Sequence, residues 1–207
     1  TRPVTGKIYR AYLSECVAVI NSDPNCREVF INGDCVSGIM ATPYNSNIDT
    51  VFSTAARLNS LINILNWQLE NRGYTQIFCG IGLAYGRALM LKAGYSGSGI
   101  NDVIWMGDVV NEASNLCHQG NKPGYETVQV STTVHGNLSD VNKGFLKPTP
   151  NAFYPTHYEG NIINIAMEGW LKEQKEKKRI SSLIRRNFFT NSEGSFPTTL
   201  GGLLQIR

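Results

Sequence analysis

Residues Val103 to Leu116, Val-Ile-Trp-Met-Gly-Asp-Val-Val-Asn-Glu-Ala-Ser-Asn-Leu, restrict the fold more than any other stretch of the chain. A short apolar run meets a Gly-Asp corner and passes directly into a helical pattern. Val109, Val110, Ala113, Leu116 and Cys117 recur at helical spacing and predict the buried stripe. Asn111, Asn115 and His118, at i, i+4 and i+7, predict a polar stripe on the opposite side. Asp108 is the expected N-cap. A helix that starts straight off a strand offers free backbone N–H groups and a favourable dipole to an anion such as a nucleotide phosphate. The same pattern equally suits an ordinary solvated helix face.

A second segment, Glu28 to Ala41, places two short apolar runs around Asn32-Gly33. Asn-Gly is the strongest short hairpin signal, and a type I′ turn centred on it is expected because both central residues then need positive φ. Asp34 sits at the tip, where a carboxylate held on a rigid hairpin suits Mg²⁺ or Mn²⁺. The plainer role for such an aspartate is to satisfy turn amides.

The rest of the chain reads as one α+β domain with a charged appendage. Lys7 to Ile20 predicts a helix stopped by Asn-Ser-Asp-Pro, and Ile48 to Leu69 predicts a long amphipathic helix stopped near Gly73. Gln76 to Ala84 alternates, with Ile77, Cys79, Ile81 and Leu83 on one face and Phe78, Gly80, Gly82 and Ala84 on the other. The small residues on that second face allow close approach by a helix or a ligand. Tyr85-Gly86 predicts a turn, Arg87 to Lys92 a return strand, and Gly94 to Asn101 a connecting loop without the ending of a P-loop. Thr127 to Ser131 predicts a strand that runs into a short helix over Thr132 to Leu138. Phe153-Tyr154 and Asn161 to Ile165 are expected to close the sheet. Trp170 to Arg186 predicts a charged helix whose basic run suits a solvated or partner-facing surface. Asn187 to Arg207 predicts a loosely held tail.

Composition narrows the function classes. The longest apolar runs are far short of a membrane span. Five scattered cysteines without a Cys-x-x-Cys pair argue against a zinc site or a disulfide framework, and fit a reducing cytoplasmic setting. A net charge of +3 suits a polyanionic nucleotide but does not demand a nucleic-acid partner.

Taken in order, three segments resemble the class III nucleotidyl cyclase domain over roughly Lys7 to Ile165. They are Ile31-Asn32-Gly33-Asp34-Cys35-Val36, Gly80-Ile81-Gly82-Leu83-Ala84-Tyr85-Gly86 and Trp105-Met106-Gly107-Asp108-Val109-Val110-Asn111-Glu112-Ala113. The resemblance implies a ferredoxin-like core, with a central, mostly antiparallel sheet flanked by helices, and a homodimer with composite sites. Residues 1–170 would form the catalytic domain and 171–207 a basic helix and tail. The implied reaction is attack of the ribose 3′-oxygen on the α-phosphorus of a nucleoside triphosphate, assisted by two Mn²⁺ or Mg²⁺ ions. Asp34 matches the second metal aspartate, and the first is expected upstream of Thr1. Asn111 matches the transition-state asparagine. Asn115 stands where the family has an arginine, so either another cation serves, with Arg87, Lys143 and Lys147 as candidates, or turnover is slow.

The base-reading positions depart from the adenylate cyclase pattern as well. They fall on Phe30 and Ile104, neither of which can pair a purine edge, and the smaller pocket favours a pyrimidine. Asn32, Gly33 and Trp105 would complete the substrate-binding set. Residues 86–108 look closest to the bacterial pyrimidine cyclases of the Pycsar anti-phage system. This implies cyclic UMP or cyclic CMP made from UTP or CTP, acting on a separate effector, with a slight lean to UTP. Two rivals stand beside that reading: an inactive cyclase-like module that binds nucleotide or a partner, and a diguanylate cyclase or polymerase on a related palm. The second rival lacks its Gly-Gly-Asp/Glu hairpin and basic template groove here.

Overall fold

A computed structural model describes residues 2–94, 99, 101–149 and 157–190. The chain divides into two compact units, Thr1–Met167 and Glu168–Arg207. The elements in chain order are α1 (Arg2–Asn21), β1 (Cys26–Asn32), β2 (Cys35–Met40), α2 (Asn45–Glu70), β3 (Ile81–Leu83), β4 (Leu89–Gly94), β5 (Asn101–Met106), α3 (Asp108–Gln119), β6 (Val128–Val130), α4 (Thr132–Asn137), α5 (Asp140–Lys143), β7 (Lys147–Thr149), β8 (His157–Gly160) and α6 (Ile165–Thr190).

Three sheets appear where one central sheet is expected: the antiparallel pair β1–β2, the antiparallel pair β4–β5, and a four-stranded sheet in the order β3-β6-β8-β7. In the last, β3 runs parallel to β6, whereas β8 is antiparallel to both β6 and β7. The strand expected over Gln76 to Ala84 shrinks to three residues. Part of the reason lies in α2: the Asn66 side chain bonds both the N–H of Ile77 (2.8 Å) and its C=O (2.9 Å), in place of a neighbouring strand. The strand after Tyr85-Gly86 does not return along β3; it pairs with β5 instead. The sheet closes through β8, not through Asn161 to Ile165. Residues 161–164 are irregular because α2 binds them: Asn59 donates to Asn161 Oδ1 (2.7 Å) and to Ile162 O (2.8 Å), and Asn164 N–H donates to Ser60 (2.9 Å). Phe153-Tyr154, the tail beyond residue 190 and most of the Gly94–Asn101 loop lie outside the described residues.

The core forms where alternation on the strands meets the stripe of α2. Ile48, Phe52 and Ala55 of α2 pack with Leu83, Val128, Val130, Val134, Leu138 and Ile162. The opposite face of β6, β8 and β7 is buried but polar. Gln129 Nε2 donates to Glu159 Oε2 (3.0 Å) and to Glu126 O (2.6 Å), while its Oε1 lies 2.7 Å from His157 Nε2. Glu126 N–H donates to Glu159 Oε2 as well, and Lys147 bridges Glu126 (2.9 Å) and Glu159 (3.5 Å). Burial without loss is possible here because each buried group finds a partner.

α3 lies across β3 on the flat face read from the sequence. A Cβ on Gly80 or Gly82 would collide with backbone atoms of Cys117, Gly120 or Ala113, so the small residues serve helix packing. A second core, around Cys16, Leu61 and Ile62, joins α1 and α2, with Val36, Ile77 and Cys79 packed against it.

Candidate active site

The hairpin places its acidic residue by one glycine. Asn32 pairs with Cys35, so the two-residue loop is Gly33-Asp34, one residue later than the Asn-Gly centre expected. Gly33 has φ +64° and Asp34 does not have positive φ, the signature of a II′ rather than a I′ turn. Alternation then divides the hairpin. Val36 and Gly38 face α1, Gly38 lying against Ile20. Glu28, Phe30, Asn32, Cys35 and Ser37 occupy the other face.

That second face meets β5 and α3 of the same chain. Trp105 Nε1 donates to Glu28 Oε2 at 2.8 Å, across 77 residues of sequence. The Cys35 thiol lies beside Cys117 on α3, whose thiol holds its pKa down at about 6. The neighbouring Cys35, then burial, pushes the Cys117 thiol up. Cys117 Sγ donates its one proton to Gly80 O (3.2 Å), which ties α3 to β3.

α3 starts one residue earlier than expected. Gly107, not Asp108, is the N-cap; its φ of +134° is the reason a glycine is needed there, and no side chain caps the helix. A Cβ at Gly107 would lie 3.1 Å from Arg87 O, which brings the start of β4 beside the start of α3. Leu116 is buried and Val109, Val110, Ala113 and Cys117 are half-buried, as the stripe predicts. Asn111, Asn115 and His118 are exposed on the other side. Neither asparagine side chain bonds a described residue.

The candidate residues fall into two groups. Phe30, Asn32, Gly33, Asp34, Arg87, Ile104, Trp105, Asn111 and Asn115 all lie on the hairpin, the β5–α3 corner or the segment abutting it. Lys143 and Lys147 do not join them: Lys143 pairs with Asp140 (3.5 Å) and Lys147 with Glu126 and Glu159. Arg87 is exposed and makes no ion pair among the described residues. Glu28 belongs to this arrangement although no motif marks it; the period-two alternation Glu28, Phe30, Asn32 is the signal that does. An open groove lined by Tyr9, Leu13, Val17 and Ile31 runs along α1 and holds none of the candidate polar groups.

Among the described residues no group of three His, Cys, Asp or Glu side chains could hold a metal ion. Asp34 fits as a single hard-oxygen ligand, exposed on a rigid tip, for an ion that a triphosphate would also bind.

No family model matches the chain. It is 36% identical over 168 residues to a uridylate cyclase of Treponema porcinum, covering 81% of this chain and 59% of that protein. It is 34% identical over 184 residues to a uridylate cyclase of Gulbenkiania mobilis, covering 82% of this chain and 71% of that one. The chain belongs to the family of these cyclases. It spans about three fifths of the Treponema relative's length. Among solved structures, it resembles the guanylyl cyclase Cya2 with a TM-score of 0.58 at 12% identity, over 76% of this chain and 79% of that one. A bacterial light-regulated adenylyl cyclase gives 0.59 at 20% identity, over 76% and 45%. The α+β class III cyclase core expected from the three motifs is therefore the fold observed.

Proposed function

We propose that this chain carries the catalytic domain of a pyrimidine nucleotide cyclase, converting UTP, or CTP, to the 3′,5′-cyclic monophosphate and pyrophosphate. The observation that carries the reading is identity of about one third to two uridylate cyclases, in a chain that holds Asp34 on a tight hairpin loop and Asn111 in the first turn of α3. In the reaction the 3′-oxygen bonds the α-phosphorus and loses its proton to solvent, while the bond to the β-phosphate oxygen breaks. Asp34 would hold Mn²⁺ or Mg²⁺ together with the triphosphate, in a reaction that uses two ions per site. When bound, such ions activate the attacking oxygen and offset charge on the leaving one. The Asn111 amide orients the ribose and donates to the developing phosphorane. With Asn115 uncharged and both lysines in ion pairs, Arg87 beside the start of α3 is the cation best placed for the phosphates. Phe30 and Ile104 bracket the base.

The active form is a homodimer whose sites combine Asp34 of one subunit with Asn111 of the other. Support comes from the β4–β5 ribbon, where Leu89, Met90, Leu91, Val103, Ile104 and Met106 are all exposed on a two-stranded sheet. Such a ribbon is marginal in water and gains by burying itself against a second copy. The product serves as a second messenger in bacterial anti-phage defence, read by a separate effector. No helix among the described residues is long and apolar enough to cross a membrane, and the reading places the enzyme in the cytoplasm. Residues 171–207 take no part in the catalytic chemistry.

The test incubates the full-length gene product with Mn²⁺ and each of ATP, GTP, CTP and UTP, with products resolved by mass spectrometry. A cyclic pyrimidine monophosphate with pyrophosphate supports the reading. No cyclic product from any of the four overturns it in favour of an inactive nucleotide-binding module, which the absence of a complete metal cluster among the described residues favours. Mixing Asp34→Ala and Asn111→Ala proteins tests the composite site: a mixed dimer regains one intact site, and heterodimers without activity would refute it.

A further inference from the structure

We propose that Glu28 is the residue that selects uridine over cytidine, by accepting a hydrogen bond from N3–H of the uracil ring. The inference rests on the cyclase reading above, in which Phe30 and Ile104 bracket the base. Neither of those side chains can hydrogen-bond, so discrimination must come from a polar group on the same surfaces. On the hairpin face that carries Phe30, Glu28 is one strand repeat away and so points the same way. On β5, Trp105, next to Ile104 but on the opposite face of that strand, holds Glu28 Oε2 with its indole N–H at 2.8 Å and so ties the carboxylate to the strand. Glu28 thus spans the two strands that carry the bracketing residues, all within one chain.

The carboxylate is fixed but not saturated. Its second oxygen accepts no hydrogen bond from a described residue, and both residues of the Glu28–Trp105 pair are only half-buried. Trp105 has a single N–H, which this bond consumes. The surface therefore offers an acceptor and no further donor from the pair. Uracil presents a donor at N3, whereas cytosine presents a lone pair there. An acceptor aimed at that atom gains a charge-assisted bond with uracil and faces lone-pair repulsion with cytosine. A β-bulge between Cys26 and Glu28 shifts the register just where Glu28 turns towards β5, a device that often re-aims a side chain beside a site.

The experiment uses the full-length protein and compares kcat/KM for UTP, CTP, N3-methyl-UTP and 5-methyl-UTP. The wild-type enzyme is expected to use UTP and 5-methyl-UTP alike, and N3-methyl-UTP at least tenfold less well. Glu28→Gln, whose amide can donate to the cytosine N3, is expected to narrow the UTP-to-CTP ratio at least tenfold with an unchanged melting temperature. Trp105→Phe, which frees the carboxylate to move, should narrow the ratio in part. Turnover of N3-methyl-UTP equal to that of UTP overturns the proposal without any variant. So does a Glu28→Gln protein that loses activity on both substrates alike, for that is a strut and not a reader. No cyclic product from the wild-type protein is a different failure, that of the cyclase reading itself.

Discussion

Gly80→Ala tests whether the seat of α3 on β3 sets the position of Asn111. The new methyl would lie 2.7 Å from Gly120 O and 2.8 Å from Gly120 Cα, and closer still to Cys117 O. Contacts of this kind settle near 3.5 Å, and the tightest, to Cys117 O, sets the displacement, so the end of α3 must retreat by more than about 1 Å. Every opposing atom is backbone, and no side chain can rotate away. Overpacking costs about 1–3 kcal/mol, and a rigid backbone on both sides puts this case at about 2–3 kcal/mol. The retreat also lengthens the Cys117–Gly80 hydrogen bond. Because a helix moves as a rod, Asn111 shifts with it, and misplacement on this scale costs roughly tenfold to a hundredfold in turnover. Urea denaturation followed by circular dichroism reads the stability term, and cyclic product formation at saturating nucleotide reads the second. An unchanged denaturation midpoint with full turnover would refute the seating of the helix described here.

Three further outcomes are expected. Asp23 is 3% exposed and accepts from Thr54 Oγ1 (2.5 Å), Asn25 N–H (2.9 Å) and Asn25 Nδ2 (3.0 Å). Asp23→Ala should cost about 2–3 kcal/mol in a melting experiment, because it orphans buried donors, and a loss under 0.5 kcal/mol would count against their burial. Iodoacetamide near neutral pH should label Cys35 first, its thiol being exposed and held down at about 6 by Cys117. Cys16 and Cys79, pushed up to about 12 and about 11 by burial, should label last, and peptide mapping reads the order. His135 stacks on Tyr158 with ring centroids 3.5 Å apart, and burial, then Lys143, lowers its pKa from 6.5. The folded state therefore binds that proton less readily than the unfolded one, and stability is full above pH 6.5 and falls below it. In His135→Phe, which keeps the stack, melting temperature against pH should be flatter over that range.

Where a feature depends on neighbours in the chain, the sequence carries it. The stripe of α3, the helix over Asn45–Glu70 and the alternation that gives β1 and β2 two faces all follow from periodicity. The hairpin is legible too, although its loop sits one residue later, since the ladder closes at Asn32 and Cys35 and leaves the positive φ to Gly33 alone. Elsewhere distant side chains decide. Asn66 takes the backbone groups of Ile77, and Asn59 takes those after β8, so two stretches that read as strand are irregular. The bond between Glu28 and Trp105 joins segments 77 residues apart, and no local pattern encodes it. The pairing of Lys147 with Glu126 and Glu159 is equally invisible, and it removes from the phosphate side a lysine that the sequence offered.

The polar face of the four-stranded sheet has a consequence for folding fidelity. Its ladders are only three residue pairs long, so backbone bonding alone penalises a shifted alignment weakly. Sliding β8 by one residue against β6 would set Tyr158 where Glu159 belongs and turn the carboxylate towards Phe52 and Val130. Gln129, His157 and Glu126 would lose their partners together, at about 1–3 kcal/mol for each buried orphan. The wrong alignment is thereby expelled by its own unpaired atoms. The network proofreads the sheet.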